Sequence, residues 1–160
     1  MKHKDGLSLI IILSATVLVA GLGSIASINA VEFYAQLTQP VFAPPASVFG
    51  PAWTTLFVLM TISAWLVVRE RGWRGSRVEM WVYLVQLLLN ALWSWLFFHW
   101  HLGMAALIEV VVLWVAILIT CVVFWRIKVL AGVLLIPYLL WVGFATALTY
   151  AMVSLNPQSL

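Results

Sequence analysis

Gln86 and Asn90 stand four residues apart in an otherwise apolar run, followed at helical spacing by Trp93 and Phe97. On one face of a helix these residues form a stripe of two amides and two aromatic rings. An amide in hydrocarbon is unfavourable unless it is hydrogen-bonded, so the stripe must face other helices or a cavity. The chemistry it offers is recognition: hydrogen bonds to orient a ligand, and rings to cover its apolar body. The same amides can instead tie helices together, and that use competes at both positions. Glu109 is the one ionisable residue well inside an apolar run. A charge there costs about 2.5–3.5 kcal/mol on an insertion scale, so the carboxyl is expected to be neutral or paired. It suits either a bond to a neighbouring helix or proton-coupled transport.

Other reactive side chains lack the company their chemistry needs. His99 and His101 flank Trp100 and could touch a metal or haem iron, but no third ligand accompanies them. Cys121 is the only cysteine, which excludes an internal disulfide and argues against a cysteine metal site. The sequence contains no phosphate-cradling loop, nucleophile elbow, HExxH or hydrolytic triad pattern. Neither a metal nor a tightly bound cofactor is expected.

The elements that must position these residues are membrane spans. Of the 160 residues 65% are apolar and 8% charged, far from the ~25% charged of soluble domains. Five stretches approach the ~20 residues that a span requires: about 7–28, 47–68, 80–100, 102–125 and 129–155. They are apolar on all sides, unlike the alternating segments of a membrane barrel. The expected fold is therefore an all-α membrane protein, a bundle of five transmembrane helices forming a single domain over residues 1–160. With five spans, every Lys and Arg falls on one side: Lys2 and Lys4, then Arg69, Arg71, Arg74 and Arg77, then Arg126 and Lys128. The positive-inside rule places that side, and the N-terminus, in the cytoplasm. The net charge of +3 is thus a topology signal, with no nucleic-acid partner implied. The pattern fits an integral protein of a bacterial cytoplasmic membrane.

Met1–Asp5 followed by an apolar run also fits a signal peptide with a weak site at Ser24-Ile25-Ala26, but the run exceeds an ordinary signal core and reads as a span. Within it Gly23 and Ser27 have the small-xxx-small spacing of close helix packing, and Gly143, Ala147 and Ala151 form a similar seam in the fifth span. The loop from Asn29 to Ala46 is longer than the ~12–15 residues usual for structureless connections. Pro40, Pro44 and Pro45 stiffen it, and Phe33, Tyr34 and Phe42 supply rings. It reads either as an interfacial aromatic belt or as a semi-rigid lid on the outer face, between helices 1 and 2. Counting ~1.5 Å of rise per residue, Trp53, Trp93, Glu109 and Thr149 lie roughly 10 Å beneath it, and Asn90 and Ala145 about 15 Å. Rich in aromatic residues, with a few polar groups, this layer has the composition of a small-molecule pocket.

The run Phe33, Tyr34, Leu37, Pro40, Phe42, Pro44, Pro45, then Val48, Phe49 and Trp53, resembles the TspO/MBR family of tryptophan-rich sensory proteins, translocator proteins and peripheral-type benzodiazepine receptors. Gln86, Asn90, Trp93, Phe97 and Phe98 extend the likeness, as do Pro137, Tyr138, Leu139, Trp141, Phe144, Ala145 and Thr146. With ten tryptophans and five spans, the resemblance covers nearly the whole chain.

The resemblance implies a homodimeric membrane protein that binds porphyrins such as protoporphyrin IX and other amphipathic small molecules. Family ligand positions carry over to Tyr34, Pro44, Trp53, Phe57, Asn90, Trp93, Trp141 and Ala145. Trp53 and Asn90 are implied hydrogen-bond donors to a ligand carbonyl, and Trp53 and Trp141 are the positions linked with light-dependent porphyrin breakdown. Phe33 and Phe42 stand where the family commonly has Trp, Gln39 where Lys is usual, and Thr149 where Asn is frequent. No Lys or Arg follows Tyr150, so the sterol motif proposed for animal members is missing. Three functions remain open: a porphyrin sensor or regulator, with or without light-dependent degradation of the pigment; a transporter of tetrapyrroles or other amphipathic molecules; and a structural or stress-response partner.

Overall fold

The computed structural model describes residues 2–160, with side chains from residue 6 onward, so Lys2 and Lys4 of the charge pattern lie outside the described side chains. Six α-helices carry the chain: α1 (Lys2–Ala26), α2 (Ala30–Gln36), α3 (Phe49–Gly75), α4 (Arg77–Ser94), α5 (Gly103–Ile127) and α6 (Val129–Leu155). A 3-10 turn, Ala46–Val48, leads into α3, and a π-helical turn, Trp95–His99, extends α4. Five segments are long and apolar enough to cross a membrane. No strand occurs among the described residues. The five-span all-α bundle expected from the sequence is thus the fold observed.

The helix ends differ from the expected ones for local reasons. α3 runs past residue 68 to Gly75, because the charged residues beyond the apolar run continue the helix outside hydrocarbon. Pro51 sits in its first turn, where a missing N–H leaves no bond unmade. The segment from Asn29 to Ala46 is not structureless, since α2 occupies part of it.

The spans pack as a ring in the order α1, α3, α6, α5, α4, closing back on α1. Small residues set the tightest approaches. A Cβ on Gly132 would lie 2.7 Å from Trp125 Cβ, and one on Gly103 would lie 2.6 Å from Leu160 Cβ. Gly23 faces α4, where a Cβ would meet Ser94 Oγ at 3.5 Å, so this half of the expected small-residue spacing serves packing within the chain. Gly143 meets the Trp114 indole, whereas Ala147 of the expected seam is exposed.

Hydrogen bonds between spans fix the register. Thr16 and Tyr83 hydroxyls lie 2.8 Å apart, Ser63 Oγ donates to the Ala131 carbonyl at 2.6 Å, and Trp114 Nε1 donates to that of Leu139 at 3.1 Å. At the basic end Gly72 takes a φ of +68°, the left-handed region that glycine enters freely, and kinks the last turns of α3 shortly before α4 begins. Two ion pairs, Arg71–Glu79 at 3.2 Å and Lys128–Glu70 at 3.1 Å, join the segments there.

Candidate ligand-binding site

At the opposite end α1, α3, α4 and α6 diverge around a cavity of about 610 Å³. Its volume lies within the ~300–1,000 Å³ of small-molecule sites. α3 contributes Phe49, Trp53 and Phe57, α4 and its π turn Asn90, Trp93, Ser94, Phe97 and Phe98, and α6 Trp141, Ala145, Leu148, Thr149 and Met152. α1 adds only small residues, Ala20, Gly23, Ser24 and Ser27, so the space exists partly because this wall has little bulk. Tyr34 of α2 and the 46–47 turn complete the enclosure.

The aromatic wall is interlocked. Trp93 stacks on Phe97 at 5.3 Å, Phe98 meets both edge-on, Trp53 lies 5.8 Å from Phe57 and 6.2 Å from Tyr138, and Phe49 meets Trp141 at 6.1 Å. Rings held this way keep their orientation without a ligand, which is the preorganisation that binding needs. The connecting segment folds inward over this end. Phe33 stacks on His101 at 4.1 Å, and Phe42 meets Phe144 edge-on.

The polar groups divide sharply. Asn90 Nδ2 donates to the Tyr138 hydroxyl at 3.0 Å, which holds the amide on the wall. Trp93 carries a buried indole N–H with no partner among the described residues. Tyr34 donates its hydroxyl hydrogen to the Pro44 carbonyl at 3.0 Å, and burial raises its pKa above the ordinary phenol value. Gln39 Nε2 donates to the Tyr34 carbonyl at 2.9 Å, so this side chain braces the connector.

Seven of the eight ligand positions carried over from the family, Tyr34, Trp53, Phe57, Asn90, Trp93, Trp141 and Ala145, share this wall. Pro44 stands behind it, acting on the cavity through the Tyr34 hydroxyl. Gln86 does not reach the wall: it is buried in the core, its Nε2 3.9 Å from Met60 Sδ and its Oε1 without a partner. Glu109 is also off the wall, with both carboxyl oxygens buried and without a hydrogen-bond partner among the described residues, on neighbouring helices or elsewhere. His99 and His101 belong to no group of three potential metal ligands among the described residues.

Two contributors escaped the sequence. The α1 wall was visible only as the Gly23–Ser27 spacing, which says that something comes close but not that it is a void. Asn156, just past α6, accepts from the Thr38 N–H at 2.8 Å and donates to the Thr38 carbonyl at 3.0 Å, clamping the connector to the end of the bundle. A lone Asn beyond the last span was its sole signal.

Five spans, four of them around a ligand-sized aromatic-rich cavity, define a small integral membrane protein with an internal chamber. The chain belongs to the TspO/MBR family, whose profile matches residues 9–155. It is 39% identical to the tryptophan-rich protein TspO of Chlorobaculum tepidum over 78% of this chain and 80% of that protein. It is 36% identical to a tryptophan-rich protein TspO of Archaeoglobus fulgidus over 94% and 97%. To the human translocator protein it is 35% identical over 76% and 73%.

Proposed function

We propose that the protein is a membrane-embedded binding protein for porphyrins and similar amphipathic molecules, acting in tetrapyrrole sensing or regulation. The observation that carries this reading is the chamber of about 610 Å³, apolar and rich in aromatic rings, with the Asn90 amide on its wall. A flat conjugated ligand matches rings that are fixed before it arrives. The Asn90 amide has a second hydrogen to give a ligand carbonyl beyond the one directed at Tyr138. Trp53 is the further donor, and the connector acts as the lid. No cation lies on that lid, because Gln39 occupies the position usual for Lys, so a ligand carboxylate gains no ion pair there. Trp53 and Trp141 are the indoles placed to give an electron to a photoexcited macrocycle, the basis of any light-dependent breakdown. Assembly as a homodimer is part of the same proposal.

The test is quenching of tryptophan fluorescence by protoporphyrin IX, in the dark and then in light, for wild type, Trp53→Phe and Asn90→Ala. Saturable quenching weakened in both variants is expected, with light-dependent loss of porphyrin absorbance reduced in Trp53→Phe. Linear quenching unchanged by either substitution would mean partitioning into the membrane and would sink the reading.

A second reading, transport, draws on the exposed residues Ser24, Val31, Gly50 and Thr54 in the chamber wall, which leave it open toward the flank of α1 and α3. The human relative is named a translocator protein. Flux of porphyrin into sealed vesicles tests it; binding without flux removes it.

A further inference from the structure

The basic end of the bundle carries a second concavity, far from the chamber. It is a surface groove of about 360 Å³ between the end of α3 and the start of α4, lined by Trp73, Arg74, Arg77, Met80, Trp81 and Leu84. We propose that it is a binding site for the headgroup of an anionic phospholipid, with one acyl chain lying along α4.

Among the described residues the charges of the groove have no anion to meet. The two described acids near this turn are already engaged, Glu79 by Arg71 and Glu70 by Lys128. Arg74 and Arg77 have no ion pair among the described residues. Two guanidinium groups facing one groove suit a phosphodiester, which accepts their N–H groups in pairs.

The groove is also built for a lipid rather than a dissolved ion. Arg77, Met80, Trp81 and Leu84 follow one face of α4 at spacings of three, four and seven. Charge therefore gives way to apolar surface along the helix, in the direction an acyl chain takes from its headgroup. Trp81 is 67% exposed and Trp73 40% exposed, the placement of indoles that sit at the interface. Just after the kink at Gly72, Trp73 and Arg74 share the groove with the first turns of α4. Trp73 is then held by its indole N–H donating to Ser8 Oγ at 2.9 Å, so one wall of the groove is fixed before a lipid binds.

The experiment uses the full-length protein in neutral detergent, titrated with phosphatidylglycerol and followed by native mass spectrometry. One retained phosphatidylglycerol is expected, with phosphatidylcholine not retained. At about fivefold per arginine near a membrane surface, Arg74→Gln with Arg77→Gln should weaken retention about 25-fold. Arg69→Gln, whose guanidinium lies over Trp65 instead, should leave it unchanged. A second measurement does not depend on the arginine variants: phosphatidylglycerol brominated on its acyl chain should quench wild-type fluorescence more than that of Trp81→Phe. Retention unaffected by the double substitution, or bromine quenching equal in wild type and Trp81→Phe, overturns the proposal. Displacement of the lipid by millimolar inorganic phosphate would overturn it too, because the site would then serve a free anion.

Discussion

The two ends of the bundle are built from the same helices and solve opposite problems. At the basic end, Ala64, Ala131 and Gly132 let α3, α5 and α6 close on one another, with Ser63 bonded to the Ala131 carbonyl and Cys121 Sγ 3.4 Å from that of Gly132. At the other end, large rings stand on α3, α4 and α6 while α1 offers small residues, and about 610 Å³ stays open. Both halves are built from the same apolar spans, so being apolar does not decide which half is hollow. The distribution of side-chain size decides it. In a membrane, helices are driven together by close packing rather than by escape from water. Where rings brace one another across a gap, that drive is already satisfied without closing it.

Bulk added at each end should therefore produce different failures. Gly132→Leu should destabilise the protein by about 3 kcal/mol, because even a Cβ would meet Trp125 at 2.7 Å and the backbone there cannot retreat. Thermal unfolding in detergent reads this, and an unchanged midpoint would refute the account of the closed end. Ala145→Phe should do the reverse: fold with nearly the wild-type midpoint, yet weaken protoporphyrin IX about 100-fold, roughly 2.7 kcal/mol, by filling the chamber. Porphyrin affinity that survives Ala145→Phe would place the ligand elsewhere.

How much of this contrast was legible in the sequence follows from the range of the forces. The spans and their order of charge were readable, because hydrocarbon demands long apolar runs and confines Arg and Lys to the ends. Helical spacing put Trp53 with Phe57 and Asn90 with Trp93, since i+3 and i+4 neighbours share a face whatever the tertiary fold. It could not separate Asn90 from Gln86. One turn apart on one face, they end in a cavity wall and in a sealed core, and the difference is made by which helix stands opposite. The α1 wall was unreadable for the same reason: small residues look alike whether they admit a neighbour or leave a void. Asn156 and Thr38 meet across 118 positions of chain, and neither residue carries a local pattern.

That long-range clamp distinguishes the roofed end from the closed one in a further way. Asn156→Ala removes both bonds to Thr38 and the one its amide gives the Met152 carbonyl at the end of α6, at a loss of about 1–2 kcal/mol felt mainly in the connector and that last turn. Hydrogen exchange at the Thr38 amide should accelerate on the order of tenfold, and porphyrin should dissociate faster by a similar factor, while the thermal midpoint moves little. Faster exchange without faster dissociation would show that the connector does not gate the chamber.

The smallest expected effect concerns Glu109→Gln, in the chamber-end half of α5 but off the chamber wall. Its two oxygens are buried without a partner, and no described cation forms an ion pair with it. A charged carboxylate in that position would be strongly unfavourable, so the group should behave as a neutral acid whose shape matters more than its charge. Glu109→Gln keeps shape and neutrality and should shift the unfolding midpoint only slightly, within about 0.5 kcal/mol. If Glu109→Gln instead costs as much as Gly132→Leu, or removes a pH-driven component of porphyrin flux while binding persists, the carboxyl has a working charge state. The hollow end would then hold a titrating group beside its chamber, and side-chain size alone would no longer account for the contrast with the closed end.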